Sequence, residues 1–437
     1  MTHLLTLHRP LRLALVTLLA FACTLAVFTL LRDDVRVPRP VAPTTFDGVV
    51  RPDAGTDAEI ARLQAAVRDG APLEAQLAGA YLQKVRETGD PSFYARADGV
   101  LTRALSRGPD DPVELVAAAT LAAGRHDFAG ALQLAERARS VESDSIVAYP
   151  VLVDALVELG RYDEAERTLQ QLIDRKPSLA AYARVSYFRE LHGDLAGAAD
   201  AMTRAVSAGG GARENLAYVQ TLLGDLELAR GRLAEARRAY GAALASVADY
   251  VPALAGEARL TAARGDLAGA IAGWQRVTTL LPLPEYAIEL GEAELAAGRR
   301  AAARRDLALV PAQQRLLGAA GVDGDVEFAL FEADLRRPRR RVRLARRAWA
   351  AAPSVRSADA LGWALTRAGR PHAGARWMDR ALRLGSLDPT IRFHAGIAAR
   401  AAGRPAEGRR HLRIALAHGL ATHPWHAERA RRALEDR

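Results

Sequence analysis

The sequence predicts an all-α fold, an α-solenoid of about ten helix–turn–helix repeats preceded by one transmembrane helix. Small residues, replaced once by Arg341, recur at intervals of 33 to 38 residues between Ala97 and Gly408. A glycine stands five residues before most of them, where one helix would end and the next begin. Half of the residues are hydrophobic but only 5% are aromatic, so the core would consist mainly of Ala and Leu. This composition favours closely packed helices over strands.

The N-terminal region predicts a membrane anchor. After a short tail, residues 1–12, nineteen residues without a charge follow at 13–31. At a rise of about 1.5 Å per residue they nearly cross a hydrocarbon layer of roughly 30 Å, so we expect an uncleaved transmembrane helix. A signal peptide cleaved after Ala22 and a lipoprotein anchor at Cys23, the single cysteine, are the alternatives. The apolar residues that continue beyond both positions argue against them.

Charges on the two sides of the apolar segment bear on its orientation. Two arginines precede it and three follow it closely. We favour a single-pass protein of a bacterial cell membrane with the repeats exported, while cytoplasmic repeats or secretion after cleavage are the alternatives. Residues 32–55 are rich in proline and lack a helical period, which predicts an extended linker.

Residues 146–177 show one repeat in full. Three large apolar residues form one face of a first helix. Gly160 supplies the turn, because glycine adopts the left-handed conformation without a steric penalty. Ala165, in the second helix, must be small because two helices would cross closely there. Pro177 closes the unit because proline cannot continue a helix.

The same pattern recurs along residues 56–420, which we assign to the solenoid. In the second repeat His126 replaces the turn glycine, and Thr56 with Glu59 predicts a capping box at the first helix. Residues 421–437 read as a C-terminal capping helix. The positions equivalent to Ala165 are Ala97, Ala131, Ala198, Ala236, Ala270, Ala303, Arg341, Gly374 and Gly408.

The unit resembles the tetratricopeptide repeat (TPR), a helix–turn–helix motif of about 34 residues. The resemblance covers about residues 75–420. It implies a right-handed superhelix whose first helices line a concave groove for a protein or peptide partner. The implied groove residues are Asp154, Glu158, Tyr187, Glu190, Tyr218, Asp225, Trp363 and Phe393, with Arg259, Glu292 and Asp359 among further positions.

Most of these groove positions in the middle repeats are acidic, aromatic or small. We therefore expect a partner segment with apolar anchors and some basic residues. The alternative for each aromatic residue is ordinary packing against its neighbours.

Positive charge is concentrated in the last third of the chain. Residues 297–437 hold 29 arginines against 13 acidic residues, although the whole chain carries only +9. This patch is either a docking site for anionic lipid or an acidic partner, or an ordinary solvated face. Nucleic acid is not expected, because interleaved aromatic residues and a recognition helix are both missing. The arginines expected to project from the convex side of a second helix are Arg339, Arg340, Arg343, Arg346 and Arg347.

The sequence contains no motif of a catalytic or cofactor site, so we expect neither enzymatic activity nor a cofactor. His411, His418, His423 and His426 form the one histidine cluster, but their spacing places no two on one helical face, and no metal is expected. We therefore predict a membrane-anchored scaffold for protein–protein interaction or complex assembly at the bacterial envelope. The alternative is a secreted or periplasmic accessory protein that binds a ligand or metal through its histidine-rich end.

Overall fold

The computed structural model describes residues 55–209, 213–334 and 338–436, without the side chains of residues 334 and 338–340. The predicted tail, the predicted anchor at 13–31 and nearly all of the linker lie outside these ranges. Among the helices of the described ranges, none is both long and apolar enough to span a bilayer.

Every regular element in the described ranges is helical. In chain order, the N-terminal half contains α1 Thr56–Arg68, α2 Glu74–Thr88, α3 Ser92–Arg107, α4 Pro112–Gly124, α5 Phe128–Val141, α6 Tyr149–Glu158, α7 Tyr162–Arg175, α8 Leu179–Leu191, α9 Leu195–Ala208, α10 Arg213–Ala229, α11 Leu233–Ser246 and α12 Val251–Ala263. They are followed by α13 Leu267–Leu280, α14 Pro284–Ala296, α15 Arg300–Leu307, α16 Val310–Ala319, α17 Asp325–Asp334, α18 Pro338–Ala351, α19 Val355–Arg367, α20 Pro371–Ala381, α21 Pro389–Ala401, α22 Pro405–Ala417, a 3-10 helix Leu420–Thr422 and α23 Pro424–Glu435.

The helices from α2 to α22, except α16, pack as ten successive helix–turn–helix pairs. Helix α1 packs on α2 at the N-terminal end, and α16 is an additional helix inserted between the seventh and eighth pairs. The small residue predicted at each helix crossing is completely buried in the first seven pairs, as the close approach of the two helices requires. These residues are Ala97, Ala131, Ala165, Ala198, Ala236, Ala270 and Ala303.

The turns that contain the predicted glycine have the left-handed conformation. Gly160 has φ +70°, and the glycines at the equivalent positions have similar values. His126 adopts φ +64° in the second pair, so it replaces glycine there at some cost in backbone strain.

Arg341 occupies the small position of the eighth pair and is 2% exposed. Its Nη1 donates to the carbonyl oxygens of Ala333 at 2.9 Å and Arg367 at 3.0 Å, near the ends of α17 and α19. The last carbonyls of a helix lack partners within the helix and carry partial negative charge. The arginine therefore satisfies these groups where the other pairs have a small residue.

The predicted capping box at Thr56 is wrong. Helix α1 begins at Thr56 itself, so Gly55 is the N-cap and no side chain caps the helix. The Thr56 hydroxyl donates to Glu87 of α2 instead, and Glu59 pairs with Arg62 at 2.8 Å.

The solenoid closes on itself because its later repeats stack against its earlier ones. Hydrogen bonds join residues that are 193 to 223 positions apart, so they connect successive turns of a superhelix rather than neighbouring repeats. The bonds are His126 Nδ1 to Asp323 O at 2.6 Å, Val355 N to Tyr162 Oη at 2.9 Å, and Arg383 Nη2 to Gly160 O at 3.2 Å.

Two turn glycines lie at these contacts. A Cβ at Gly160 would be 2.4 Å from the carbonyl oxygen of Pro353, and one at Gly193 would be 2.7 Å from that of Gly385. By contrast, a Cβ at Gly231 would meet no atom within 4 Å. At Gly160 and Gly193, glycine thus serves both the left-handed turn and the approach of the second superhelical turn.

The C-terminal segment lies inside the second superhelical turn. The 3-10 helix packs against α12, and α23 packs against α14, the first helix of the seventh pair. Helix α23 therefore occupies part of the groove that the TPR resemblance implies along the first helices.

Candidate functional site in the closed groove

The predicted groove residues lie in the interior of the molecule. Asp154, Glu158 and Tyr218 are 2–6% exposed, and Trp363 and Phe393 are completely buried. They are covered because the second superhelical turn and the C-terminal segment fill the concave side. In the part of the chain that the structure describes, the open part of the groove is therefore reduced to a cavity.

This cavity has a volume of about 150 Å³. On one side it is lined mainly by first helices of the third to seventh pairs and on the other by residues 388–390 and 418–423. Five of the eight predicted groove residues line the cavity, namely Asp154, Tyr187, Glu190, Tyr218 and Asp225.

A buried ion pair forms one wall of the cavity. Arg184 Nε and Nη2 contact the two carboxylate oxygens of Asp154 at 2.9 and 2.6 Å, and both residues are 3% exposed. Arg184 also donates to the carbonyl oxygens of Pro150 at 3.1 Å and Ala180 at 2.9 Å. The repeat register does not place Arg184 in the groove, so the sequence analysis missed it.

A second charged group lies farther along the same row of first helices, around Arg259 of α12. Arg259 contacts Glu289 through two hydrogen bonds of 3.0 and 2.6 Å, and its Nη1 lies 3.6 Å from Asp225. Burial opposes the charge of Arg259, but Glu289 and Asp225 outweigh burial and raise the pKa of Arg259. Burial also raises the pKa of Asp225, which accepts a hydrogen bond from Tyr240 at 2.7 Å.

The lining of the cavity has an excess of acidic groups. It contains five carboxyl groups and two guanidinium groups, together with apolar surface. A cation on an apolar stem would match this combination, whereas an anion would be repelled. The carboxyl groups belong to Asp154, Glu190, Asp225, Glu289 and Asp388, and the apolar surface to Met202, Leu222, Leu226, Leu228 and Pro389.

The remaining groove residues pack in the core away from the cavity. Trp363 stacks on His394 with 4.4 Å between ring centroids, and the His394 ring bonds to Asp359 at 2.8 Å. Phe393 contacts His426 of α23, with ring centroids 4.8 Å apart. These contacts correspond to the alternative interpretation of the aromatic positions, in which they pack against their neighbours.

Glu158 is buried between the two superhelical turns. It accepts a hydrogen bond from Tyr187 at 3.4 Å. Burial raises the pKa of Glu158, although the charge of Arg356 from the later turn partly offsets this effect.

The predicted basic patch is described at three of its five residues. Arg343, Arg346 and Arg347 of α18 are exposed, as predicted, and Arg347 Nε pairs with Asp325 at 2.8 Å. The side chains of Arg339 and Arg340 lie outside the described part of the chain.

The histidine-rich end divides between the core and the cavity. His411 lies beside Arg392 at 3.2 Å, and burial together with that charge lowers the pKa of His411 to about 4. His426 is buried, with its Nδ1 3.8 Å from Glu292, while His418 and His423 line the cavity. In the described ranges, no three His, Cys, Asp or Glu residues are grouped so that they could hold a metal ion.

Comparison with known proteins supports the repeat assignment. Residues 121–185 match the tetratricopeptide-repeat family model. This TPR segment includes α5, α6 and α7 and supports a TPR protein. The chain has no significant match among curated proteins.

Two solved structures are similar in their helical architecture. One is the APC/C hetero-tetramer Cut9–Hcn1, with 16% identity over 87% of this chain and 67% of that chain and a TM-score of 0.36. The other is a tetratricopeptide repeat protein from Parabacteroides merdae, with 15% identity over 62% of this chain and 98% of that chain and a TM-score of 0.33.

Proposed function

We propose that this chain is a non-catalytic TPR scaffold for protein–protein interaction or complex assembly, and that it receives a basic side chain of a partner in the cavity. The observation that carries this proposal is the lining of the cavity, with five carboxyl groups, two guanidinium groups and apolar surface. A cavity of about 150 Å³ is of the size that accommodates a benzene molecule, which suits one side chain rather than a helix. An arginine or lysine at the tip of a partner segment would place its apolar stem and its charge against matching surfaces.

The capture of a partner from solubilised membranes tests this function. Glu190→Gln and Asp225→Asn should reduce capture because they remove negative charge from the cavity. Both replacements keep the size of the side chain, so the loss can be assigned to the charge. Glu166→Gln makes the same kind of change at an exposed position of α7 and is the matched control. Equal capture by all three variants and the original protein would contradict binding in the cavity.

The proposal also includes attachment of the chain to a membrane through its N-terminal segment. The nineteen uncharged residues at 13–31 support a single transmembrane anchor in a bacterial membrane, and the arginines of the short N-terminal tail support export of the repeats. The full chain should then resist extraction by high salt and alkali, whereas a chain lacking residues 1–31 should be released. A mature N-terminus at Cys23 would instead indicate processing.

A second candidate function is the binding of a small ligand at the histidine-rich end. It is favoured by the positions of His418 and His423, which line the same cavity as the acidic residues. Calorimetric titration with agmatine, an apolar stem with a guanidinium group, tests whether the cavity binds a free cation. Binding that Glu190→Gln weakens would support the acidic cavity for either function, and only binding that His423→Ala also weakens would favour a ligand-binding protein that uses its histidine-rich end.

A further inference from the structure

The inserted helix α16 has an apolar stripe that no other helix of the described ranges covers. Leu309, which immediately precedes the helix, is 57% exposed, and Leu316 is 64% exposed. Ala312 and Ala319 are also exposed and follow Leu309 by three and ten residues. Since helical residues at these spacings share one face, the four side chains form a continuous stripe.

Exposed leucines are concentrated at this place. The large, exposed apolar residues of the described ranges are Val141, Leu280, Leu309 and Leu316. Gln313 of α16 donates to the carbonyl oxygen of Pro282 at 2.6 Å, so the loop that follows Leu280 lies beside α16. Three of the four exposed residues thus belong to α16 or to its immediate surroundings.

Arginines flank the apolar stripe. Arg315 is exposed on α16, and Gln314 and Gly318 of α16 line the same depression as Arg343 and Arg347 of α18. Two carboxylates of this region are already paired, Asp306 with Arg305 at 3.9 Å and Asp325 with Arg347 at 2.8 Å. The exposed arginines at α15, which precedes the stripe, are Arg299, Arg300, Arg304 and Arg305. The surroundings of the stripe are therefore strongly basic.

The described chain begins on the same side of the molecule. Thr56 donates to Glu87 near the end of α2, and a Cβ at Gly89 would lie 2.8 Å from Cδ2 of Leu283. Leu283 follows Pro282, the residue that Gln313 of α16 contacts. The described chain therefore begins on the side of the solenoid that carries α16.

We propose that α16 docks on an anionic lipid bilayer, with Leu309 and Leu316 in the boundary between headgroups and acyl chains. Exposed leucines on a helix beside a cluster of arginines are the features of an interfacial helix, because apolar burial and attraction to anionic lipid act together. Basic residues near such a surface are attracted to its negative potential. The position of residue 55 favours this partner over an acidic protein, since the chain leaves the solenoid on this side. This inference rests on the proposed membrane attachment.

A fluorescent label at Leu316 tests the docking in the full chain. We would replace Cys23→Ser, introduce Leu316→Cys and attach an environment-sensitive nitrobenzoxadiazole group. Vesicles of phosphatidylcholine would be compared with vesicles of equal parts phosphatidylcholine and phosphatidylglycerol, both carrying nitroxide-labelled lipid. The matched control carries the label at Val141→Cys, which replaces an apolar residue of 49% exposure at the end of α5.

Docking predicts a blue shift and nitroxide quenching at position 316 only with the anionic vesicles, and neither effect at position 141. Changing Arg304, Arg305 and Arg315 to Gln should abolish both effects. An unshifted label in anionic vesicles, or equal shifts in both vesicle types, would overturn the proposal. A shift without vesicles would also overturn it, since a second copy or the chain's own apolar segment would then cover the stripe. Flotation with neutral vesicles tests the anchor separately, because α16 would not hold the chain there.

Discussion

Alanine substitutions at two turn glycines should separate the stacking of the superhelical turns from the conformation of the turn itself. Gly160 and Gly231 have almost the same backbone, with φ +70° and φ +74°. Only Gly160 faces the other superhelical turn, where a Cβ would be 2.4 Å from the carbonyl oxygen of Pro353. Gly160→Ala therefore combines the strain of alanine in the left-handed region with the clash against Pro353. Gly231→Ala has only the backbone strain.

The magnitudes follow from these two contributions. Forcing alanine into the left-handed region costs about 1–2 kcal/mol at either position. The contact with Pro353 adds an overpacking term of about 1–3 kcal/mol at Gly160, because backbone cannot move aside as a flexible side chain can. Gly160→Ala should therefore destabilise the protein by more than Gly231→Ala, by roughly the overpacking term.

Urea unfolding followed by circular dichroism measures the difference in free energy. Hydrogen exchange gives a local reading, since the Val355 amide donates to Tyr162 across the same contact and should lose protection only in Gly160→Ala. Equal destabilisation by both variants, with unchanged protection of Val355, would refute the stacking of the two superhelical turns.

Three further predictions concern the helix crossings, the buried ion pair and one carboxyl group. Ala165→Leu and Ala270→Leu, at completely buried crossings, should each cost about 1–3 kcal/mol in urea unfolding; changes near zero would refute the register. Asp154→Ala should cost about 3–5 kcal/mol because it leaves Arg184 buried without its carboxylate, and combining it with Arg184→Met should restore part of the loss. Burial raises the pKa of Glu114 from 4.5 to about 7, so between these pH values the folded state retains a proton that the unfolded state has lost. The contribution of Glu114 to the free energy of unfolding therefore falls as the pH rises from 4.5 to about 7. Glu114→Gln should reduce that slope in thermal unfolding at a series of pH values, and an unchanged slope would contradict the shift.

The repeat architecture could be predicted from the sequence because its determinants are local. A turn glycine such as Gly160 and a small residue such as Ala165 each report a backbone conformation or a crossing within one repeat. Spacing then extends the assignment along the chain. Even Arg341, which breaks the pattern, keeps its buried position because it finds carbonyl partners at two helix ends.

The closed groove could not be predicted in the same way. Val355 and Tyr162 are 193 residues apart, and no periodic feature of the sequence pairs them. Five of the residues that the family pattern selects line the cavity, because the pattern reports which side of a helix is concave. It does not report what covers that side, so Trp363 and Phe393 fall in the core.

The long separation between contacting residues has a consequence for how the chain acquires its structure during synthesis. The first repeats leave the ribosome well before the residues that stack on them, since Tyr162 precedes Val355 by 193 positions. Helices within a repeat can form at once from neighbouring residues, but loop closure over such a distance must wait for the later part of the chain. During this interval the concave side of the early repeats, including the Asp154–Arg184 pair, faces solvent. A nascent chain stalled before α17 would thus be an open form of the solenoid, in which the interior side chains are accessible to a chaperone or to a partner that the finished protein would exclude.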